Sequence, residues 1–353
     1  MKFHKIEKAY INISDNLYPN DYINLARIEN DKLAFNELTL FLTDDEKKKL
    51  NEDKIKKFEN IVIIFNLDGS WGILCNVPIK YYQNKKILCH ELVLSDVIQR
   101  MLSNFHAYNA EANPVMLTHN KKLELSEFVK NNLCDFCNQK GNIKLFIYSG
   151  KKADEILKSL KDIELFYIAD GHHRLFSTSL YSEKDEVMAC IYGMNELKIE
   201  SIPRKIENIS KEEFQKYKEK IKDTFEMLDN EKVLEKGEVR LNFNKEKLTF
   251  RLKNVDGDLF ANNDIYRLNT QLISNIFRIF KDENIKYVSE KELEEELKSP
   301  KENVAYIETS CMDKDEFMAT IKNNNIMPPK STYFKPKFPS FLIFNYFRKI
   351  KEE

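Results

Sequence analysis

The distribution of apolar and polar positions predicts short strands that alternate with helices of moderate length. The run Asn60–Asn66 is almost continuously apolar and predicts a buried strand. Asp68-Gly69-Ser70 is a turn sequence, so Trp71–Cys75 is predicted to pair with that strand as a hairpin. Ser95–Ala107 has apolar residues three and four positions apart, which predicts an amphipathic helix.

The same patterns predict further elements along the rest of the chain. Ser210 and Glu213 form the capping box of one of these helices. Strands are expected at 143–149, 163–169, 187–192, 197–202, 238–243, 248–252, 285–288 and 304–307. Helices are expected at 153–160, 175–181, 210–228, 265–280, 290–298 and 313–323. This mixture predicts an α+β fold with mixed sheets.

Composition narrows the class of protein. The 353 residues are 42% hydrophobic and 12% aromatic, which indicates a folded globular chain. Lysine and arginine number 56 against 57 aspartate and glutamate, and this balance gives no reason to expect a nucleic-acid or membrane-surface partner. No apolar run approaches the ~20 residues of a membrane helix. The charged N-terminus lacks a signal-peptide core, so a cytoplasmic location is expected.

The sequence gives no sharp boundary between domains. An N-terminal half, 1–207, and a C-terminal half, 208–353, are the best division, and a single integrated domain is the alternative. The chain has eight glycines, and no two of them are separated by a single residue. This spacing excludes the dinucleotide-binding fingerprint, and the chain has no Gly-x4-Gly-Lys phosphate loop. A nucleotide would have to be bound by another route.

The segment Asp170-Gly171-His172-His173-Arg174 is the strongest candidate site, because it follows an apolar strand and opens a helix. Asp170 is expected at or near the helix N-cap, and Gly171 allows a sharp turn. The N–H groups and dipole of a helix start favour an anion, to which the next three side chains add donors. An ordinary Asp-Gly turn with a surface arginine and a core histidine is supported about equally. A metal site is the weaker option, since adjacent helical histidines point ~100° apart.

Two other segments carry candidate chemistry. His90-Glu91 lies ahead of a predicted helix, and on its residues alone it is better explained as a solvated pair. Pro328-Pro329 would hold Lys330-Ser331-Thr332 in an extended loop, where a lysine beside two hydroxyls could clamp a phosphate. On residues alone, a basic surface loop explains that segment better. Lysines 335 and 337 add charge to it.

Several ordered motifs resemble those of a known family. Tyr167–Arg174 resembles the signature of the family named domain of unknown function 1015. That family is related to the free serine kinases and, more distantly, to the ParB/sulfiredoxin superfamily. The supporting segments, spread in the expected order over roughly 60–345, are 86–91, 112–116, 197–204 and 327–337.

The resemblance implies a fold and a function. The fold would be a mixed-sheet ParB/sulfiredoxin-like core that carries the strand-to-helix turn, with additional α/β elements in the C-terminal half. The function would be that of a nucleotide-dependent small-molecule kinase, which transfers a phosphoryl group to a hydroxyl such as that of free serine. The alternative is a non-catalytic nucleotide-binding regulator of the ParB-like type. Mg²⁺ with ATP or ADP would be the cofactors, and nucleotide and a small-molecule substrate the partners.

The resemblance also implies a role for each motif residue. Glu91 would be the general base, and His172 would assist catalysis. Asp170 would orient the substrate hydroxyl or a Mg²⁺ ion. Nucleotide phosphates would be held by Gly171, His172, His173 and Arg174. The residues expected to clamp substrate or phosphate are His90, Arg204, Lys330, Ser331 and Thr332.

Overall fold

The structure, a computed structural model, has the predicted α+β architecture with a large mixed sheet. It describes residues 1–14, 17–18, 24–34, 55–258, 260–323, 325–328 and 330–347, without the side chain of Asp282. The strands are β1 Ile6–Asn12, β2 Leu25–Glu29, β3 Lys32–Ala34, β4 Ile55–Leu67, β5 Ser70–Pro78, β6 Ile87–Leu88, β7 Ala110–Glu111, β8 Val115–His119, β9 Phe136–Lys140, β10 Ile143–Tyr148, β11 Phe166–Asp170, β12 Glu186–Gly193, β13 Lys198–Glu200, β14 Arg204–Ile206, β15 Glu226–Leu228, β16 Glu238–Phe243, β17 Glu246–Arg251, β18 Lys286–Tyr287, β19 Ala305–Thr309, β20 Tyr333–Lys335 and β21 Ile343–Tyr346.

The helices are mostly short, and side chains cap the starts of the four helices that begin at Lys211, Asp264, Glu290 and Lys314. Their bounds are α1 Lys80–Gln83, α2 Ser95–Ala107, α3 Leu125–Asn131, α4 Gly150–Ser159, α5 His172–Leu180, α6 Lys211–Thr224, α7 Asp264–Arg267, α8 Glu290–Lys298 and α9 Lys314–Lys322. Ser210 and Glu213 form the predicted capping box of α6. Among the residues that the structure describes, no helix is both long and apolar enough to cross a membrane.

The chain forms two compact units. The first unit comprises Met1–Cys89, Val93–Lys198 and Pro336–Glu353, and the second unit comprises His90–Leu92 and Ile199–Lys335. The second unit therefore includes three residues from the first half of the chain, and the first unit includes the C-terminal segment from Pro336. The predicted division into domains at 207/208 stays a prediction.

The first unit is built on a 13-stranded sheet that mixes parallel and antiparallel pairs. Its main path runs β3-β2-β7-β21-β1-β4-β5-β12-β8-β11-β6, and β10 pairs with β4 and β9. Strand β12 runs parallel to β8, and β11 runs parallel to β6. The hairpin predicted around Asp68-Gly69-Ser70 is confirmed, since Ile63 is opposite Leu74 and Leu67 is opposite Ser70.

The second unit contains a six-stranded sheet in the order β15-β17-β16-β19-β14-β18. Its core is rich in phenylalanine, because helix and strand each contribute rings to it. Phe214 of α6 stacks on Phe243 of β16, with ring centroids 4.1 Å apart. Phe225 stacks on Phe250 at 5.0 Å. Such ring pairs bury large apolar areas, which holds the helix on the sheet.

Two helix predictions in the second unit are wrong at their C-terminal ends. The helix predicted over 210–228 ends at Thr224, and Glu226–Leu228 pairs with β17 as a strand. The helix predicted over 265–280 is α-helical only at Asp264–Arg267 and continues as a π-helix to Ser274. Apolar spacing does not distinguish a π-turn from an α-turn, and it does not show where strand pairing takes over from helix.

Candidate functional site

The predicted strand-to-helix turn is present in the first unit. Strand β11 ends at Asp170, Gly171 adopts a left-handed conformation with φ of +90°, and α5 begins at His172. A Cβ at Gly171 would lie 2.9 Å from two nitrogens of the Arg174 guanidinium. The positive φ therefore favours glycine at this position, and a larger residue would also displace the Arg174 guanidinium.

The carboxylate of Asp170 is held by two cations. One terminal nitrogen of Arg174 lies 2.6 Å from Oδ2, and Nζ of Lys337 lies 2.7 Å from Oδ1. The other terminal nitrogen of Arg174 donates to the carbonyl of Pro114 at 3.0 Å. Burial alone would raise the pKa of Asp170, but the charges of Arg174 and Lys337 outweigh it and the net pKa is lowered. Asp170 is therefore ionised and paired on both oxygens.

Asp170 lies next to the N-cap residue, as the sequence predicted, but its side chain does not cap the helix. Gly171 is the N-cap residue of α5, and no side chain accepts a capping hydrogen bond there. The reason lies in helix geometry, because side chains in a helix lean towards its N-terminus. Arg174 consequently reaches back over Gly171 to Asp170, four residues earlier, and takes the carboxylate that would otherwise cap the helix.

The two histidines of the turn add hydrogen-bonding groups. His172 is buried, and burial lowers its pKa to about 4, so its ring is neutral at physiological pH. Nε2 of His173 accepts the backbone N–H of Leu94 at 2.9 Å, which places no proton on that nitrogen. The permanent positive charge at the turn is carried by Arg174 and Lys337.

Lys337 was not among the predicted site residues, although the sequence suggested that it adds charge to the segment 327–337, the closing motif. It lies 167 positions beyond Asp170, so nothing local to the turn could reveal the contact. The segment after it is fixed within the first unit, where the Phe338 ring packs edge-on against Phe65 at 5.0 Å. The backbone N–H of Phe341 also donates to the Ala112 carbonyl at 2.9 Å.

A second cluster of predicted residues lies in the second unit. Oε1 of Glu91 accepts the backbone N–H of Lys330 at 2.5 Å, and Glu91 forms a parallel bridge with Met327. Nε2 of His90 and Oγ1 of Thr332 are 3.0 Å apart. The structure therefore brings the His-Glu motif and the closing motif together, although they are separated by 239 positions.

The closing loop has an irregular backbone at its centre. Lys330 has a φ of +59°, which is unusual for a residue with a side chain, and its amide is thereby directed to Glu91. The hydroxyl of Ser331 donates to the carbonyl of Pro328 at 2.6 Å. Pro329, part of the predicted extended Pro-Pro segment, lies outside the described residues.

Arg204 lies in β14 of the second unit's sheet and is 1% exposed. Its guanidinium donates to the carbonyl of Ile202 at 3.2 Å and lies over the Tyr287 ring at 5.6 Å. Its predicted role as a clamp stays a prediction.

A Mg²⁺ ion does not fit Asp170 in the observed arrangement. Both carboxylate oxygens already accept from a cationic side chain, whereas a metal would need at least one of them. No group of three or more histidine, cysteine, aspartate or glutamate side chains that could hold a metal occurs in the described part of the chain. No catalytic step through a protein-held metal is therefore derived from this site.

Comparisons with known proteins give a family and three similar solved structures. Curated proteins yield no match. C-terminally truncated SbnI from Staphylococcus aureus is 9% identical, with a TM-score of 0.43 over 76% of this chain and 85% of that one. A free serine kinase variant in complex with ADP is 14% identical, with a TM-score of 0.41 over 76% and 92%. A conserved hypothetical protein from Pyrococcus furiosus is 13% identical, with a TM-score of 0.40 over 76% and 93%.

Similarities this low establish no ligand or reaction for this chain. The family assignment is independent of them, and it covers both the His-Glu motif and the turn. The model described as protein of unknown function (DUF1015) matches residues 46–316, well over half of the sequence, and the chain belongs to that family.

Proposed function

We propose that this protein binds a nucleotide through phosphates at the turn Gly171–Arg174 and acts as a small-molecule kinase towards a hydroxyl such as that of free serine. One observation carries the proposal. Arg174 and Lys337 place two cations at the N-terminus of α5, with only the Asp170 carboxylate between them. The sum of these three charges is positive, and the helix dipole adds to it.

The turn has the chemistry that phosphate recognition needs. The first N–H groups of a helix have no acceptor within the helix, and they point towards its N-terminal end. The guanidinium of Arg174 is planar and can bind two phosphate oxygens at once. A neutral His172 can donate a hydrogen bond without requiring a counter-charge, which suits a group in a buried position.

For catalysis, we assign Glu91 as the general base and the nucleotide, ATP or ADP, as the phosphoryl donor. Glu91 would accept the proton of the substrate hydroxyl while its oxygen attacks the terminal phosphorus. The bond from that phosphorus to the bridging oxygen would break, and the shortened nucleotide would leave with the electron pair. His90, Lys330, Ser331 and Thr332 are proposed to contact substrate or phosphate. Positioning and charge neutralisation are the main requirements of such a reaction.

The test is calorimetric titration with ADP, ATP and CTP, and with adenosine as the ligand that lacks phosphate. We expect binding of at least one nucleotide and none of adenosine. Arg174→Gln should weaken that binding about tenfold or more, because it removes charge-assisted hydrogen bonds. Arg100→Gln is the matched control, since Arg100 also pairs with an aspartate four residues earlier but is 73% exposed. Absence of nucleotide binding, or equal effects of the two variants, would contradict the proposal.

The alternative is a nucleotide-binding regulator without turnover, and one observation favours it. An aspartate paired on both oxygens is not available to orient a substrate hydroxyl. Size-exclusion chromatography with light scattering, run with and without nucleotide, distinguishes the two functions. A nucleotide-dependent change in oligomeric state, with no phosphoserine formed by the same sample, would replace the kinase by the regulator.

A further inference from the structure

We propose that Lys337 is a phosphate-binding residue, and that its ammonium exchanges between Asp170 in the ligand-free protein and a phosphate oxygen in the complex. Asp170 then serves as an internal anion that holds the cations in place and competes with the ligand for them. The inference rests on the proposed function and extends it, because it adds a binding residue and states that phosphate binding needs no metal held by Asp170.

The charge arrangement supports the exchange. Each carboxylate oxygen of Asp170 has its own cation, at 2.6 Å and 2.7 Å. A phosphate bound beside α5 would present the same kind of oxygens to the same donors. Since Asp170, Arg174 and Lys337 are only 19%, 11% and 16% exposed, water screens their interactions weakly and the competition between carboxylate and phosphate is strong.

The two cations differ in the flexibility of their side chains. Arg174 is held by a second hydrogen bond, to the Pro114 carbonyl, and its guanidinium is also packed against Gly171. Lys337 has a flexible four-carbon stem with a rotating ammonium. Its backbone is fixed by the buried Phe338, so the ammonium can move while the main chain stays in place. Because its side chain is the more flexible of the two, we assign the exchange to Lys337.

The experiment is titration of ADP into the full-length protein in EDTA, and then with Mg²⁺ in place of EDTA. Lys337→Gln should weaken ADP binding in EDTA about tenfold or more, whereas Lys337→Arg should retain it. Asp170→Asn should bind ADP about tenfold more tightly, because the carboxylate that competes with the phosphate is removed.

Lys5→Gln is the control and should bind ADP like the wild type, since Lys5 pairs with Asp154 elsewhere in the same unit. The double variant Asp170→Asn/Lys337→Gln keeps the net charge of the cluster and should bind more weakly than Asp170→Asn alone.

The outcomes separate this inference from the proposed function. If the wild type binds ADP and Lys337→Gln binds it with the same affinity, the role of Lys337 is overturned and the proposal of nucleotide binding is unaffected. Loss of ADP binding in Asp170→Asn, in EDTA or with Mg²⁺, would make Asp170 a ligand-binding group and overturn the competition. Failure of the wild type to bind ADP, ATP or CTP would overturn both. Thermal unfolding of each variant identifies any that does not fold, and the comparison of Lys337→Gln with Lys337→Arg does not depend on Asp170→Asn.

Discussion

The two candidate clusters each contain a carboxylate, but they hold it in opposite ways. In the first unit, Asp170 is paired with the side-chain cations of Arg174 and Lys337. In the second unit, the donor to Oε1 of Glu91 is the backbone amide of Lys330, which is neutral. The first arrangement fixes a negative charge between two cations, while the second orients a carboxylate through a backbone amide.

This difference separates binding from proton transfer. A carboxylate between two cations is a poor proton acceptor, because protonation would leave the cations without their counter-charge. The same two cations are well suited to an incoming anion. The carboxylate of Glu91 is oriented by a neutral backbone amide, and it remains the candidate for accepting a proton. Accordingly, we assign anion binding to the turn and general-base chemistry to Glu91.

The largest expected effect is on turnover. Glu91→Gln should lower the rate of nucleotide-dependent serine phosphorylation about 10²–10⁴-fold, the range for loss of a general base. Because the amide oxygen of glutamine can still accept the Lys330 N–H, the ADP affinity of the variant should stay within about twofold of the wild-type value. Phosphoserine formation is measured by mass spectrometry and ADP affinity by calorimetry.

The control for this variant is Glu231→Gln, since Glu231 is an 80% exposed acid in the same unit and pairs with Lys247. It should retain wild-type turnover. A Glu91→Gln protein that turns over like the wild type would remove the distinction drawn between the two carboxylates, and parallel loss of ADP affinity would make Glu91 a binding residue.

The next effect is on stability and compares two ion pairs of the same sequence spacing. Arg174→Ala leaves Asp170, which is 19% exposed, with one cation, and it should lower the free energy of unfolding by about 3 kcal/mol. Arg100→Ala breaks the pair with Asp96, whose side chains are 73% and 72% exposed, and should change it by less than about 0.5 kcal/mol. Urea unfolding followed by circular dichroism measures both.

Removing the counter-charge from the turn provides the second check of that pair. Arg174→Ala combined with Asp170→Asn should be more stable than Arg174→Ala alone, since no buried charge is left short of a partner. Equal destabilisation by Arg174→Ala and Arg100→Ala would show that the turn is solvated as a surface ion pair, which is the other interpretation its sequence allowed.

The parts of the fold predicted correctly from sequence depend on local signals. The bounds of α2, Ser95–Ala107, follow from apolar spacing alone, and the hairpin follows from the Asp68-Gly69 turn between two apolar runs. The strand-to-helix transition at Gly171 was predictable for the same reason. In each case, the pattern of neighbouring residues is sufficient to predict the conformation.

The parts that were missed depend on distant partners. The strand Glu226–Leu228 exists because β17, more than a dozen residues later, offers it backbone hydrogen bonds. The pairing of Asp170 with Lys337 joins residues 167 positions apart, so the spacing within the turn carries no sign of it. Capping propensity placed Asp170 on backbone amides, but two cations in a weakly solvated site bind a carboxylate more strongly than amides do.

The smallest of the three effects concerns pH and tests whether the positive charge of the turn comes from Arg174 and Lys337 and not from histidine. Burial lowers the pKa of His172 to about 4, from an ordinary value near 6.5. Between those values the unfolded chain binds the proton and the folded chain does not, so stability falls as pH falls. His119 is also buried with a pKa of about 4 and contributes in the same direction. The lowered pKa of Asp170 affects stability only below the ordinary range of aspartate.

From pH 7 to pH 5, His172 should lower the free energy of unfolding by about 2 kcal/mol. His172→Gln should remove that part of the loss, and His106→Gln, at an exposed position, should not. Urea unfolding at both pH values measures it. An unchanged loss in His172→Gln would mean that His172 is protonated in the folded turn, and the anion-binding charge would then include a histidine.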